Sequence, residues 1–186
     1  RLGGETAVSM YGILMYVVGF IQPLLYGTCD SLQPAVGFNW GAGKYSRVRA
    51  IEKCCFAASI VISLVSVAVI LIFPGPITQL FMADAGPEVL AMSMGALQLF
   101  AITYLTRWFS FATQSYLLAV EKSLQASIIS VSTALIFPMV LIGVLWPLGL
   151  TGIWLNFAGT ALLAGILAAV LLFKLRPELS RPDADA

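Results

Sequence analysis

Apolar residues run along this chain in long unbroken blocks, not in the alternating or one-faced patterns of soluble strands and helices. Thr6–Cys29 carries no charged residue over 24 positions, Cys54–Ala83 none over 30 and Ser123–Phe173 none over 51. A helix needs about 20 apolar residues to cross a bilayer, so each block holds one span and the last holds two. The pattern predicts spans at about 6–36, 51–73, 89–119, 123–145 and 153–175. Pro23 and Pro34 fall inside or at the end of the first, Pro74-Gly75-Pro76 stops the second, Arg107 interrupts the third and Pro138 lies within the fourth. Transmembrane strands would need alternating segments of about ten residues, and helices satisfy their own backbone groups as the bilayer demands. The expected fold class is all-α, a polytopic membrane helical bundle of about five transmembrane helices. A polar tail at 176–186 has a composition that assigns it to disorder.

Composition agrees. Hydrophobic residues make up 60% of the chain and charged residues 10%, with a mean hydropathy of +0.95, against about 25% charged residues in a soluble domain. A signal peptide has one short apolar core after a basic start, whereas here the apolar character fills the chain. The chain opens with Arg1-Leu2-Gly3-Gly4 and not with Met, as a loop inside a longer protein would. Charge placement sets the expected orientation. Lys44, Arg47, Arg49, Lys53, Lys122, Lys174, Arg176 and Arg181 all fall on one side of a five-span threading, and Arg1 with the acidic Asp84 and Glu88 on the other. The positive-inside rule then makes the basic loops and the C-terminus cytoplasmic.

Several chemistries are excluded. The chain has no His, which removes Ser–His triads, Cys–His dyads and the HExxH metal site. Cys29 is far from the adjacent Cys54 and Cys55, so neither a metal cluster nor a disulfide framework is indicated, and all three are expected to be small apolar packers. Gly43-Lys44 is followed by Tyr45, and the position five before Gly43 is Phe38, so the phosphate-binding loop pattern fails. No patch suits nucleic acid, and no acid, base and nucleophile set suggests an enzyme. No cofactor or metal is implied.

What remains is a set of polar residues within spans: Tyr16, Gln22, Tyr26, Asp30 and Gln33 in the first, and Gln98, Thr103, Tyr104, Thr106, Arg107 and Gln114 in the third. A charge inside a bilayer costs at least about 2.5–3.5 kcal/mol, and such residues face a bundle interior or an aqueous cavity. Arg107, Asp30, Gln22, Tyr26, Tyr104 and Gln114 are therefore the candidates for a substrate or ion pathway. Counting back from the expected span ends puts Arg107 roughly 18 Å and Asp30 roughly 10 Å from the same interface. That predicts an ion pair between them, direct or through water.

One stretch, Gln33–Val48, is more specific. It resembles the multidrug and toxic compound extrusion (MATE) family, whose members carry a Q-P-(V/I)-x-G-(Y/F)-N-x-G-A run followed by Arg-Val. Gln33, Pro34, Gly37, Phe38, Asn39, Gly41, Ala42, Arg47 and Val48 match it. Gly37 and Gly41 also form a G-x-x-x-G pattern that suits close helix approach. Phe73–Asp84 and Gly149–Trp154 resemble two further family segments, so the likeness covers nearly the whole chain as helices eight to twelve. It implies half of a two-lobe, twelve-helix antiporter of the plasma membrane, in which Na+ or H+ enters as drugs or other organic compounds leave. The partners implied are the lipid bilayer, the N-terminal lobe and a small organic substrate, with no nucleic acid. The position of Arg107 departs from relatives with a basic residue in the eleventh helix, which bears on substrate preference. A lipid-linked oligosaccharide flippase of the same superfamily is an alternative, since a cavity cation suits a pyrophosphate headgroup. A non-transporting scaffold packed through Gly159, Ala161, Gly165 and Ala169 is another.

Overall fold

The computed structural model describes residues 4–81 and 87–184, and among these it is helical with no strand. The first span is two helices, α1 (Gly4–Ser31) and α2 (Gln33–Gly41), broken at Leu32. Pro34 sits in the first turn of α2, where a missing N–H costs nothing and a fixed φ favours helix. Pro34 therefore restarts a helix where the sequence pattern ends one.

α3 (Tyr45–Ile72) returns across the bundle, and the short α4 (Pro74–Phe81) begins at the predicted Pro-Gly-Pro stop. α5 (Pro87–Ala119) follows, while Met82, Ala83, Asp84, Ala85 and Gly86 lie outside the described residues. The fourth span is α6 (Ser123–Val131), a π-helical turn at Ser132–Ile136 and α7 (Phe137–Leu145). Pro138 explains the wide turn: its ring has no N–H and clashes with the carbonyl four residues back in an ordinary α-helix. The Phe137 N–H instead reaches Ser132 O, and the turn absorbs the misfit. A tight turn at Trp146–Leu148 then leads into α8 (Gly149–Leu179). A Cβ on Gly152 would collide with the Leu145 carbonyl, so glycine is required for that close approach.

α5 is the hub and touches α1, α2, α3, α4, α6 and α8. Its Leu97, Phe100, Ala101, Ala112 and Leu117 are at most 1% exposed. Ala161, Ala164 and Ala168 of α8 are buried, and Gly165 faces Thr106 of α5, so small side chains seat these two helices closely. Among the described residues Tyr11–Gly41, Tyr45–Ile72 and Ser123–Leu179 are apolar and long enough to cross a membrane, and the last doubles back at its turn. Outward Phe20, Leu80 and Phe173 are more than 70% exposed, which suits a lipid environment.

One end of the bundle is closed by two similar turns. Gly43 has φ +69°, its N–H bonds Trp40 O at 3.1 Å and the Lys44 N–H bonds Asn39 O at 2.9 Å. This is the Schellman arrangement, in which a left-handed residue ends a helix. Glu121 repeats it with φ +63°, its N–H reaching Leu118 O and the Lys122 N–H reaching Leu117 O. Val36, Val48, Val120, Leu175 and Leu179 pack in one cluster beneath these turns.

The tail differs from its expected disorder. Residues 176–179 continue α8, and the next few dock on the start of α3. Asp183 accepts the Ser46 N–H at 2.7 Å and the Ser46 hydroxyl, Arg49 donates to Arg181 O at 2.9 Å, and Ala184 N–H bonds Gly43 O at 3.1 Å. Lys122 pairs with Glu178. Open amides at the N-terminus of α3 and nearby basic side chains attract an acidic segment, and composition alone does not show that.

Candidate functional site

α1 and α5 run parallel, and a constant offset aligns their polar residues. Gln22 lies opposite Arg107, with Oε1 to Nη2 at 3.5 Å. One turn on, Tyr26 stacks on Phe111 with ring centroids 4.3 Å apart. One further turn on, the Ser115 hydroxyl donates to Asp30 Oδ1 at 3.1 Å. The first and last of these pairs are each 85 residues apart in sequence. The two helices thus carry a polar column with an aromatic step in its middle.

This register overturns the expected Asp30–Arg107 pair. The two lie on levels eight residues apart, roughly 12 Å along the helix axis, with the Tyr26–Phe111 stack between them. Counting from assumed span ends misses this, because it sets both helix ends at one level, whereas the 85-residue offset seats Asp30 beside Ser115, four residues before the end of α5. Asp30 instead takes its neighbours: Gln33 Nε2 donates to Asp30 Oδ1 at 2.8 Å and also to the Ser115 hydroxyl at 2.9 Å. The family-motif Gln33 therefore ties α1 to α2 across the break and both to α5.

Arg107 is half-buried, its guanidinium carbon 5.1 Å from the centre of the Phe111 ring, and its Nε is buried with no hydrogen-bond partner. Gln22 also reaches the Tyr26 hydroxyl. Gln114 is half-buried and two turns from Arg107 on the same face of α5. Tyr104 is elsewhere: it is 1% exposed, packs edge-on against Phe100, and its carbonyl accepts the Ser63 hydroxyl. It belongs to the core of the bundle. Thr103 is also fully buried, with its hydroxyl unpartnered.

The rest of the motif is structural in placement. Gly37 faces the Ala119 carbonyl, to which a Cβ would stand at 3.4 Å, whereas Gly41 has nothing within 4 Å. Only the first glycine of the G-x-x-x-G pattern makes a close approach. Asn39 Nδ2 bonds Ala35 O at 2.8 Å, Val48 is buried, Ala42 caps α2, and Arg47 and Pro34 are exposed.

Sequence reasoning missed Ser115, Phe111 and the Glu52–Tyr116 neighbourhood. Glu52 and Tyr116 line a small cleft together with Gln33, Ser115, Cys29 and Cys55. Cys29 Sγ lies 3.3 Å from the Ser59 hydroxyl. Cys29 and Cys55 are buried as expected, but Cys54 is exposed. No group of three or more His, Cys, Asp or Glu among the described residues could hold a metal ion.

Comparison with known proteins follows the same outline. The MatE family model matches residues 1–143. The chain is 24% identical over 177 residues to multidrug export protein MepA of Staphylococcus haemolyticus (strain JCSC1435), covering 95% of this chain and 38% of that protein. It is 22% identical over 182 residues to MepA of Staphylococcus saprophyticus, covering 98% of this chain and 40% of that protein. Among solved structures, an outward-facing MATE family multidrug resistance transporter matches with a TM-score of 0.87 at 16% identity, over 97% of this chain and 41% of that one. The MATE multidrug transporter DinF-BH matches with a TM-score of 0.84 at 26% identity, over 97% of this chain and 40% of that one. The chain spans about two fifths of the length of these relatives. They are transporters rather than enzymes.

Proposed function

This chain belongs to the MatE family, and we propose that it is one lobe of a secondary transporter that exports drug-like organic compounds in exchange for Na+ or H+. The observation that carries the reading is the polar column along α1 and α5. Gln22, Arg107, Asp30, Gln33 and Ser115 line up where α1 and α2 meet α5. Ionisable and polar groups held inside a membrane bundle face its interior or an aqueous cavity and mark substrate or ion paths, which fits the placement of Arg107 and Asp30.

The remaining length of such a protein supplies the facing lobe, and the substrate passes between the two. The end bearing Gly43, Glu121 and the docked tail faces the cytoplasm, because it gathers the basic residues. The membrane is the plasma membrane. Broken helices and a π-turn give the lobe points at which it can bend during alternating access.

Efflux of a fluorescent dye from cells carrying the complete gene tests this. Efflux should stop when either the sodium or the proton gradient is collapsed, according to which ion couples. Efflux that continues with both gradients collapsed contradicts secondary transport.

A further inference from the structure

A cation inside a membrane bundle needs an anion, and among the described residues Arg107 has none within reach. The chain has nine acidic residues. Asp30 is two turns away and bonded to Gln33 and Ser115. Glu52 lies beside Tyr116, itself roughly 13 Å along α5 from Arg107. Glu121, Glu178 and Asp183 belong to the tail end, where Glu178 pairs with Lys122 and Asp183 with Ser46. Glu5 and Glu88 fall at the far ends of α1 and α5, roughly 25 Å along the helix axes. Asp84 and Asp185 lie outside the described residues.

The contacts Arg107 does make are weak for a guanidinium. Gln22 is at 3.5 Å, the Phe111 ring contributes a cation–π contact, and Nε has no partner. A guanidinium carries five N–H donors in a fork that fits a carboxylate. Beside it the Phe111 ring is buried against Tyr26, and the half-buried Tyr26 ring offers an apolar surface one turn away.

We propose that Arg107, flanked by Gln22, Tyr26 and Phe111, receives the carboxylate of a transported amphiphilic organic anion whose apolar body lies against the half-buried Tyr26 ring. The proposal rests on the export reading above and names its substrate class. Charge-assisted, forked hydrogen bonding supplies selectivity for the anionic end.

The test uses the complete transporter, purified in detergent, and two dyes with the same xanthene body and opposite charge: carboxyfluorescein and the cationic ethyl ester rhodamine. Binding is read by fluorescence anisotropy. Carboxyfluorescein affinity should fall about tenfold or more in Arg107→Gln, the scale of a hydrogen bond to a charged group. It should fall less in Arg107→Lys, and binding of the cationic rhodamine should hold or tighten in both variants. An unchanged carboxyfluorescein affinity in Arg107→Gln overturns the proposal. So does an equal loss of both dyes with a lowered Tm, which would place the counter-ion in the other lobe. Unmutated protein gives a second readout that does not depend on the variants folding. There 2-naphthoate should displace carboxyfluorescein and tetraphenylphosphonium should not, and the reverse order overturns the proposal. If the unmutated transporter binds the cationic rhodamine and not carboxyfluorescein, the anion site is wrong and the export reading stands. If it binds neither, the export reading itself is contradicted.

Discussion

Tyr26 of α1 lies on Phe111 of α5 with ring centroids 4.3 Å apart, and that contact sets the register of the polar residues on either side. Gln22 and Arg107 meet one turn before it, Asp30 and Ser115 one turn after. An aromatic pair of this kind is worth about 0.5–1.5 kcal/mol beyond its burial, enough to hold two helices in phase.

Arg107 and Asp30 should therefore behave independently in unfolding experiments. Residues without shared partners add within about 0.3–0.5 kcal/mol, whereas members of one hydrogen-bond network couple by about 0.5–3 kcal/mol. Arg107→Leu and Asp30→Leu should add, and Asp30→Leu and Ser115→Ala should not. Thermal unfolding of the complete transporter and its single and double variants reads both couplings. Strong coupling between Arg107 and Asp30 would return them to an ion pair.

The two end turns differ in one respect. Both need a left-handed residue, and one has Gly43 while the other has Glu121. A side chain in that conformation costs roughly 1–2 kcal/mol. Glu121→Gly should raise stability by about 1 kcal/mol and Gly43→Ala should lower it by at least as much. An added Cβ at Gly43 would also stand 2.6 Å from the Ala184 Cβ, so that variant should free the tail as well. Tm shifts of opposite sign check the pair.

Tail docking should depend on pH in one direction. Hydrogen bonds from the Ser46 hydroxyl and N–H hold the Asp183 carboxyl below its ordinary value of 3.8. A depressed carboxylate contributes stability that is fully present above its unfolded value and lost as pH falls through the folded one. The tail should stay docked at neutral pH and detach only below about pH 4. Asp183→Asn should remove that acid step. Hydrogen exchange of the Ser46 amide follows it, and a release between about pH 5 and 7 would point to another group.

Much of the fold is legible in the sequence. Uncharged runs define the bundle, Pro138 marks the fourth span for irregularity, and the motif draws attention to Gln33. What stays hidden depends on how distant segments meet. The 85-residue offset between α1 and α5 has no local signal, so sequence alone assigns Asp30 to Arg107 and passes over Ser115. Tyr104 reads as a pathway residue because it sits three positions before Arg107 among the polar residues of the third span, and no local signal shows that its side of α5 packs in the core. The tail reads as disordered because its partners, Ser46 and Arg49, are more than 130 positions away.

The central claim is that the α1–α5 column lines a substrate path, and thiol accessibility tests it most directly. The complete transporter would have its native cysteines, including Cys29, Cys54 and Cys55, replaced by Ala, and Gln22→Cys or Tyr104→Cys introduced singly. The rate of modification by a charged methanethiosulfonate is then measured with and without a transported dye. Gln22→Cys should react, and the dye should slow it severalfold, while Tyr104→Cys stays inert in the core. A Gln22→Cys that is unreactive, or that reacts at a rate the dye leaves unchanged, would contradict the account.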